Sequence, residues 1–240
     1  MKTNTTLSLL ASSFLLIATA HAQKAFSVGP RVGLGLATAH FLDAPGLTSS
    51  TSRGGFEAGL TGNVQVGHFA VQPSVLFSQK GYQSTGGLSG FEIFGHYEQT
   101  TRLNYLTVPL NLAFTLGHDG QGMQVFAGPY VGLFVGGHYA RQEHISDYPG
   151  GTSYTAETTG KVQVGSEYAD YGRHYSKRFD GGVQAGLGYR FHGVLVQACY
   201  SVGLRALNAQ YRSGGYTAAD PAYYNRAFQV SLSYLVSPKS

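Results

Sequence analysis

The sequence has little charge, one cysteine, no tryptophan and no apolar run long enough for a transmembrane helix. Charged residues make up 12% of the 240 positions, about half the usual share. The net charge of +4 comes without a basic run or stripe, so nucleic acid is not a predicted partner. Cys199 cannot form an internal disulfide, and we interpret it as a small buried hydrophobe.

The first 22 residues have the features of a secretory signal peptide. Lys2 supplies the positive start, residues 7–18 form the apolar segment, and Ala20-His21-Ala22 fits the small-x-small cleavage pattern. The apolar segment is too short to be a transmembrane helix. We therefore predict a cleaved signal peptide over residues 1–22 and an exported mature chain over residues 23–240.

The clearest structural pattern lies between Phe179 and Leu207. Large apolar residues alternate there with small or polar residues on both sides of His192-Gly193. Alternation with period 2 around a two-residue break predicts a long β-hairpin. Its strands are longer than the usual five or six residues and are long enough to cross a tilted bilayer span.

The same alternation recurs along the chain and predicts an all-β fold. The predicted strands cover residues 27–40, 55–66, 69–82, 103–116, 123–139, 179–191, 194–207 and 226–236. Tight turns alternate with long polar loops between them. This arrangement is typical of an eight-stranded antiparallel up-and-down transmembrane β-barrel of a bacterial outer membrane. An even strand number places both termini at the tight-turn end, which would face the periplasm.

The second set of alternating residues indicates which face meets lipid. In a secreted lipocalin-like barrel the large apolar residues would fill the interior, and the other face would carry many charges. Here that other face consists mostly of Gly, Gln, Ser, Asn, Thr and Ala, which suit a narrow interior. Aromatic residues of the apolar set also fall near both strand ends, as in the interfacial girdles of a membrane barrel. They are Phe69, Phe114, Tyr189, Phe191 and Tyr234 at the turn end, and Phe56, Phe77, Phe179 and Phe228 at the loop end.

A few ionisable residues belong to the inward set and are candidates for structural ion pairs in the lumen. They are Arg31, Glu57, Lys80, Arg178, Asp180, Arg190 and Arg205. Counting outward from His192-Gly193 places Asp180 opposite Arg205, and counting from Gly67-His68 places Lys80 one diagonal step from Glu57. Because unpaired charge in a tight interior is costly, we predict that these residues pair and plug the outer half of the barrel.

No catalytic, cofactor or metal site is predicted. His138, Glu143 and His144 lie close in sequence but match no metal-binding spacing, and residues 140–177 are interpreted as an irregular loop. Tyrosines are frequent in the long loops. Tyrosine gives a large contact area at low entropic cost, so these loops either bind an extracellular or secretion partner or pack on one another.

Several strand motifs resemble a known family. Tyr105-Leu106-Thr107-Val108-Pro109-Leu110 is similar to a Y-L-x-[IV]-P-L strand of the PorT-family outer membrane beta-barrel domain, whose architecture is akin to the OmpA/OmpX barrels. The segments DGG at 180–182, GLGY at 186–189 and YSVGL at 200–204 add to the resemblance. It covers nearly all of the mature chain. One member of that family is implicated in type IX secretion, and the family has no established catalytic residues.

We therefore predict a non-enzymatic integral outer-membrane barrel with a structural, adhesive or secretion-accessory role and with no cofactor. Its lumen is too narrow for a general porin. Outer-membrane lipid and the barrel-assembly machinery are the implied partners. The alternatives are an outer-membrane barrel enzyme that acts on envelope lipid and a secreted lipocalin-like binder of small molecules.

Overall fold

The computed structural model describes residues 25–42, 44, 47–90, 93–117, 120–147, 151, 153–169, 174–213, 216–219 and 221–237. The predicted signal peptide lies outside these residues. The regular elements are the strands β1 (Ala25–Leu42), β2 (Leu47–Val66), β3 (Phe69–Gly90), β4 (Ile93–Thr115), β5 (Gly122–Asp147), β6 (Ser153–Val164), β7 (Glu167–Tyr168), β8 (His174–Ser176), β9 (Phe179–Phe191), β10 (Val194–Gly203), β11 (Gln210–Ser213), β12 (Tyr216–Ala219) and β13 (Ala222–Tyr234). Within the described ranges no helix is both long and apolar enough to cross a membrane.

Eight of these strands form a closed antiparallel ring, as predicted. The ring runs β1-β2-β3-β4-β5-β9-β10-β13, and β13 pairs with β1 to close it. His192 and Gly193 both have positive φ, 45° and 84°, which fits the two-residue turn that favours a tight hairpin. The turn sets the predicted register, in which Val194 pairs with Phe191 and Gly203 with Gly182.

The prediction of long loops is largely wrong, because most residues of these segments form strands. β3 and β4 pair without a break out to Gly90 and Ile93. β5 runs to Asp147 and pairs with β6, so part of the predicted irregular loop at 140–177 is a regular hairpin. Threonine and tyrosine favour strands even where both faces are polar, so the loss of apolar alternation did not mark the strand ends.

The large apolar residues point outward, as predicted. Val183 and Leu187 are 47% and 56% exposed, while the intervening Gln184 is buried. All nine aromatics assigned to the two girdles are exposed on this outer face. Pairs within each girdle touch, with ring centroids 5.2 Å apart for Phe69 and Phe114 and 5.8 Å for Phe56 and Phe77.

The interior combines polar residues with aromatic rings that β5 supplies. Phe126, Tyr130 and Phe134 break the simple alternation of β5 and point into the barrel, where they are buried. Glycines of β9 make room for these rings. A Cβ on Gly186 would lie 2.7 Å from Phe126 Cζ, and a Cβ on Gly182 would lie 2.8 Å from Tyr130 Cε1. Bare backbone in one strand therefore accommodates bulk from its neighbour.

Candidate functional site

Among the described residues, the lumen holds two buried ion pairs, and the first lies between neighbouring strands. Arg31 of β1 donates from Nε and Nη2 to Glu57 Oε1 of β2, both at 2.9 Å. Arg31 also donates to Gln197 at 3.0 Å, and Gln229 donates to Glu57 Oε2 at 2.9 Å. Amide groups thus add hydrogen bonds to both members of the pair, and such bonds help a buried pair to offset its desolvation.

The second ion pair joins strands that are not neighbours in the ring. Lys80 Nζ of β3 lies 3.0 Å from Asp180 Oδ2 of β9. The same oxygen accepts hydrogen bonds from Asn225 at 2.9 Å and from Tyr130 at 3.4 Å. Lys80 also lies 4.4 Å from the centroid of the Tyr130 ring and 5.3 Å from that of Tyr105, within cation–π range.

Of the four residues predicted to form ion pairs in the lumen, Glu57, Lys80 and Asp180 are buried there and paired, but with partners other than those predicted. The fourth residue, Arg205, does not lie in the lumen. Glu57 pairs with Arg31 and not with Lys80, and Lys80 pairs with Asp180. Arg205 is exposed, because β10 ends at Gly203 and the chain leaves the sheet before reaching the position opposite Asp180. Arg178, also placed among the inward residues, is exposed because it precedes the first residue of β9.

Below the ion pairs, toward the tight turns, amide side chains cross the barrel. Gln72 donates to Asn63 at 3.0 Å and to Gln124 at 2.9 Å, and it accepts from Gln197 at 3.0 Å. These residues come from β2, β3, β5 and β10, so one glutamine connects four strands through the lumen. Side chains fill this part of the barrel, as expected for eight strands.

Above the ion pairs, an apolar layer closes the outer end of the ring. Leu207 follows β10, turns inward and is fully buried, and its backbone bonds to Lys177 and Tyr223 hold it in place. Aromatic and aliphatic residues of the ring strands and of β6 surround it. They are Ala39, Phe41, Tyr82, Leu103, Tyr105, Phe134, Tyr139, Val162 and Tyr223. We call this set the mouth cluster.

The histidines and tyrosines described beyond the apolar band form contacts with one another but no recognisable reaction centre. The ring centroids of His96 and His144 lie 4.7 Å apart with the ring planes tilted by 31°, and Glu143 pairs with Arg141 at 2.6 Å. No group of three or more potential metal ligands occurs among the described residues. Tyr168 stacks on Tyr175 at 5.2 Å and meets Tyr211 edge-on at 5.6 Å, so these loop tyrosines pack on one another.

The arrangement of the lumen favours a packed plug over a passage or a catalytic pocket. Ion pairs, amides and the mouth cluster occupy successive levels of the barrel, and each uses side chains from several strands. Sequence reasoning did not identify Leu207 or the inward aromatics of β5 as parts of this plug. The irregular alternation of β5 was the one available signal, because its second set contains Phe126, Tyr130 and Phe134.

Comparison with known proteins agrees with the barrel. A family model described as an outer membrane protein beta-barrel domain matches residues 21–208 of the 240. A search of the curated proteins finds no match.

Similar solved structures are remote from this chain. Neisserial surface protein A is 11% identical, with 86% of this chain and 96% of that chain covered and a TM-score of 0.37. The translocator domain of the autotransporter NalP from Neisseria meningitidis is 10% identical, with 95% of each chain covered and a TM-score of 0.24. These scores are low, so the family assignment rests on the family model and on the barrel itself.

Proposed function

This chain belongs to the family of outer membrane protein beta-barrel domains, and we propose that it is a closed, non-enzymatic barrel that anchors an extracellular sheet for binding a partner. The anchor is the eight-stranded ring, whose exposed apolar face faces lipid. The tight turns and both strand ends Ala25 and Tyr234 lie at one end of the ring, which faces the periplasm. The extended hairpins lie at the other end.

The observation that carries this proposal is the length of the sheet that β2–β6 form past the apolar band. We call this part the outer sheet. From the Gly81–Arg102 pair to the Gly90–Ile93 pair, β3 and β4 stay in continuous register. At about 3.3 Å per residue this ladder extends roughly 30 Å. β2 on one side, and β5 and β6 on the other, widen this part of the sheet. An ordered sheet of this size is a rigid surface, which reduces the entropic cost of binding.

The outer edge of this sheet is a suitable docking point for an extended segment. β6 pairs with β5 along one side from Val162 to Ser153. On its other side, among the described residues, it pairs only with β8, over Val162–Val164. Residues 153–161 therefore present backbone donors and acceptors to a strand of the partner, the recognition mode known as β-augmentation.

Substitution at this edge tests the proposal. Lysine on an edge strand hinders strand addition, so Thr158→Lys should abolish adhesion of bacteria that produce the protein to partner cells. Thr217→Lys, at an exposed threonine of β12, is the matched control and should leave adhesion unchanged. Equal adhesion by both variants and by the wild type would exclude the β6 edge as the binding surface.

A secretion role and an enzymatic role are the other two candidates, and each has its own test. The finer similarity to the PorT family favours a secretion-accessory role as the second candidate, and deletion of the gene should then reduce export by the type IX system. The residues an enzyme would use are the exposed His138 and the neighbouring rings of His96 and His144. We expect His138→Gln/His144→Gln to leave the mass spectrum of envelope lipid A unchanged, and a changed spectrum would favour the enzyme.

A further inference from the structure

A row of basic side chains crosses three strands on the outer face of the sheet. Arg102 of β4 pairs with His138 of β5, and His138 pairs with Lys161 of β6. Directly paired residues share one face of a sheet, and all three side chains are exposed. With strands about 4.8 Å apart, the three basic groups span roughly 10 Å. We call this set the basic row.

The basic row lies just beyond the apolar outer face. The large exposed apolar residue of β4 nearest to Arg102 is Leu106, four positions away, and the one of β5 nearest to His138 is Val135, three positions away. These separations correspond to roughly 10–13 Å along the strands. Between the two zones, Gln79 donates to Asn104 at 3.2 Å on the same face. The order is therefore apolar surface, then amides, then basic groups.

The backbone changes direction at this boundary. The pairing of β4 with β5 shifts register at Asn104/Tyr105, and Gly136, opposite Asn104, has a φ of 153° that side-chain-bearing residues rarely adopt. Such bulges bend a strand and redirect its side chains. A groove of about 570 Å³ lies beyond the bulge and is lined by the basic row with Thr100, Tyr139, Ala140, Thr159 and Gly160.

Within the part of the chain that the structure describes, no carboxylate forms an ion pair with the basic row. The ion pairs seen within the described residues do not involve Arg102 or Lys161. The nearest acidic positions along the same face are Glu98 and Glu157, each four residues away, or roughly 13 Å. Glu157 already accepts a hydrogen bond of 2.7 Å from Gln142. Gly81, the neighbour of Arg102 on β3, has no side chain to cover the guanidinium.

A further arginine increases the positive potential here. Arg53 lies on β2 outside the apolar band. Partial burial lowers the pKa of Arg53, and the positive charge of Arg102 lowers it further. Arginine remains charged despite such shifts. The two guanidinium groups of Arg53 and Arg102 therefore repel each other, and a bound anion would relieve this repulsion.

We propose that the basic row binds the phosphate groups of a phosphorylated lipid in the outer leaflet. The acyl chains of this lipid would lie against Leu106, Leu133 and Val135 while its phosphates reach Arg102, His138 and Lys161. Charged heads just outside an apolar band suit a molecule that is anionic at one end and apolar at the other. The proposal uses the lipid-facing orientation but does not depend on adhesion or on the β6 edge.

Binding of diphosphorylated lipid A to the full mature protein in non-ionic detergent, measured by native mass spectrometry, tests this proposal. Arg102→Gln/Lys161→Gln should weaken binding roughly 30-fold, the factor given by about 1 kcal/mol for each of two charges. Arg212→Gln is the matched control, because Arg212 is an exposed arginine far along the chain in β11. It should bind lipid A like the wild type.

Three further binding measurements distinguish loss of phosphate recognition from misfolding and from binding of free phosphate. Arg102→Lys/Lys161→Arg keeps both charges and should retain binding, which separates loss of charge from misfolding. Enzymatically dephosphorylated lipid A should bind the wild type as weakly as lipid A binds the double glutamine variant. Millimolar pyrophosphate should not displace lipid A. Equal binding by the wild type and the glutamine variant, equal affinity for the two lipids, or displacement by pyrophosphate would each overturn the proposal.

Discussion

Lys80 Nζ lies 3.0 Å from Asp180 Oδ2, and both side chains are buried inside the barrel although their strands are not neighbours in the ring. This contact crosses the lumen and ties β3 to β9 above the amide-filled half. Together with the Arg31–Glu57 pair and the mouth cluster, it makes the interior a packed core. The stability of the barrel should therefore depend on these charges.

The first prediction concerns that ion pair. Asp180→Asn leaves the Lys80 ammonium buried without its counter-charge, and breaking a buried pair in this way costs about 3–5 kcal/mol. Glu167→Gln, which removes the exposed Arg212–Glu167 pair at 3.5 Å, should cost at most about 1 kcal/mol. Urea unfolding in lipid vesicles compares the two, and similar losses for both variants would contradict a structural role for Asp180.

The second prediction concerns the glycines that face the aromatic rings of β5. Gly186→Ala would place a methyl group against the Ala198 carbonyl oxygen and 2.7 Å from Phe126 Cζ. Overpacking of this kind costs about 1–3 kcal/mol. A Cβ at Gly54 meets no heavy atom within 4 Å, so Gly54→Ala should be nearly neutral. The free energies of unfolding of the two variants, measured side by side, show whether the close packing of Gly186 against the Phe126 side chain stabilises the barrel.

The ring was predictable from sequence, and the pairing in its lumen was not. Apolar alternation identified the eight strands, and the turn at His192-Gly193 fixed the register through Gly203. Hairpin counting relates only adjacent strands, however, whereas Lys80 reaches across a narrow lumen to Asp180. Counting also extended β10 past its real end, so Arg205 was assigned to the interior when the chain there turns to place Leu207 in the mouth.

The outer sheet was missed for a different reason. Beyond the ring both faces of β3–β6 carry polar residues, so no apolar alternation marks them as strands. What holds them in register is backbone pairing with an already ordered neighbour, which single-strand patterns do not reveal. The basic row illustrates the consequence, because Arg102, His138 and Lys161 become neighbours only when this pairing is known.

The third prediction concerns conduction. The mouth cluster and the lumen ion pairs fill the cross-section of the barrel at different levels, so the wild-type protein should pass no steady ionic current in planar bilayers. A water-filled porin reconstituted at the same protein-to-lipid ratio is the positive control. Discrete, long-lived conductance steps from the wild-type protein would show that the plug is open in a membrane.

The fourth prediction concerns the depth dependence of charge on the outer face. Leu110 is 48% exposed in the middle of the apolar band, and Leu110→Arg should cost about 2–4 kcal/mol because arginine at the midplane of a bilayer is unfavourable. Thr159→Arg introduces the same side chain on the outer sheet beyond the band and should cost less than about 1 kcal/mol. Unfolding in vesicles measures both, and equal costs would be inconsistent with a lipid-facing band.

Fluorescence quenching by lipid gives the most direct test of the outward orientation of the apolar face. The wild-type sequence contains no tryptophan, so Leu110→Trp and Thr159→Trp each place a single indole in the protein. In vesicles of lipids brominated on their acyl chains, we expect strong quenching of the indole at position 110 and little at position 159. An unquenched indole at position 110 in the folded protein would contradict the account.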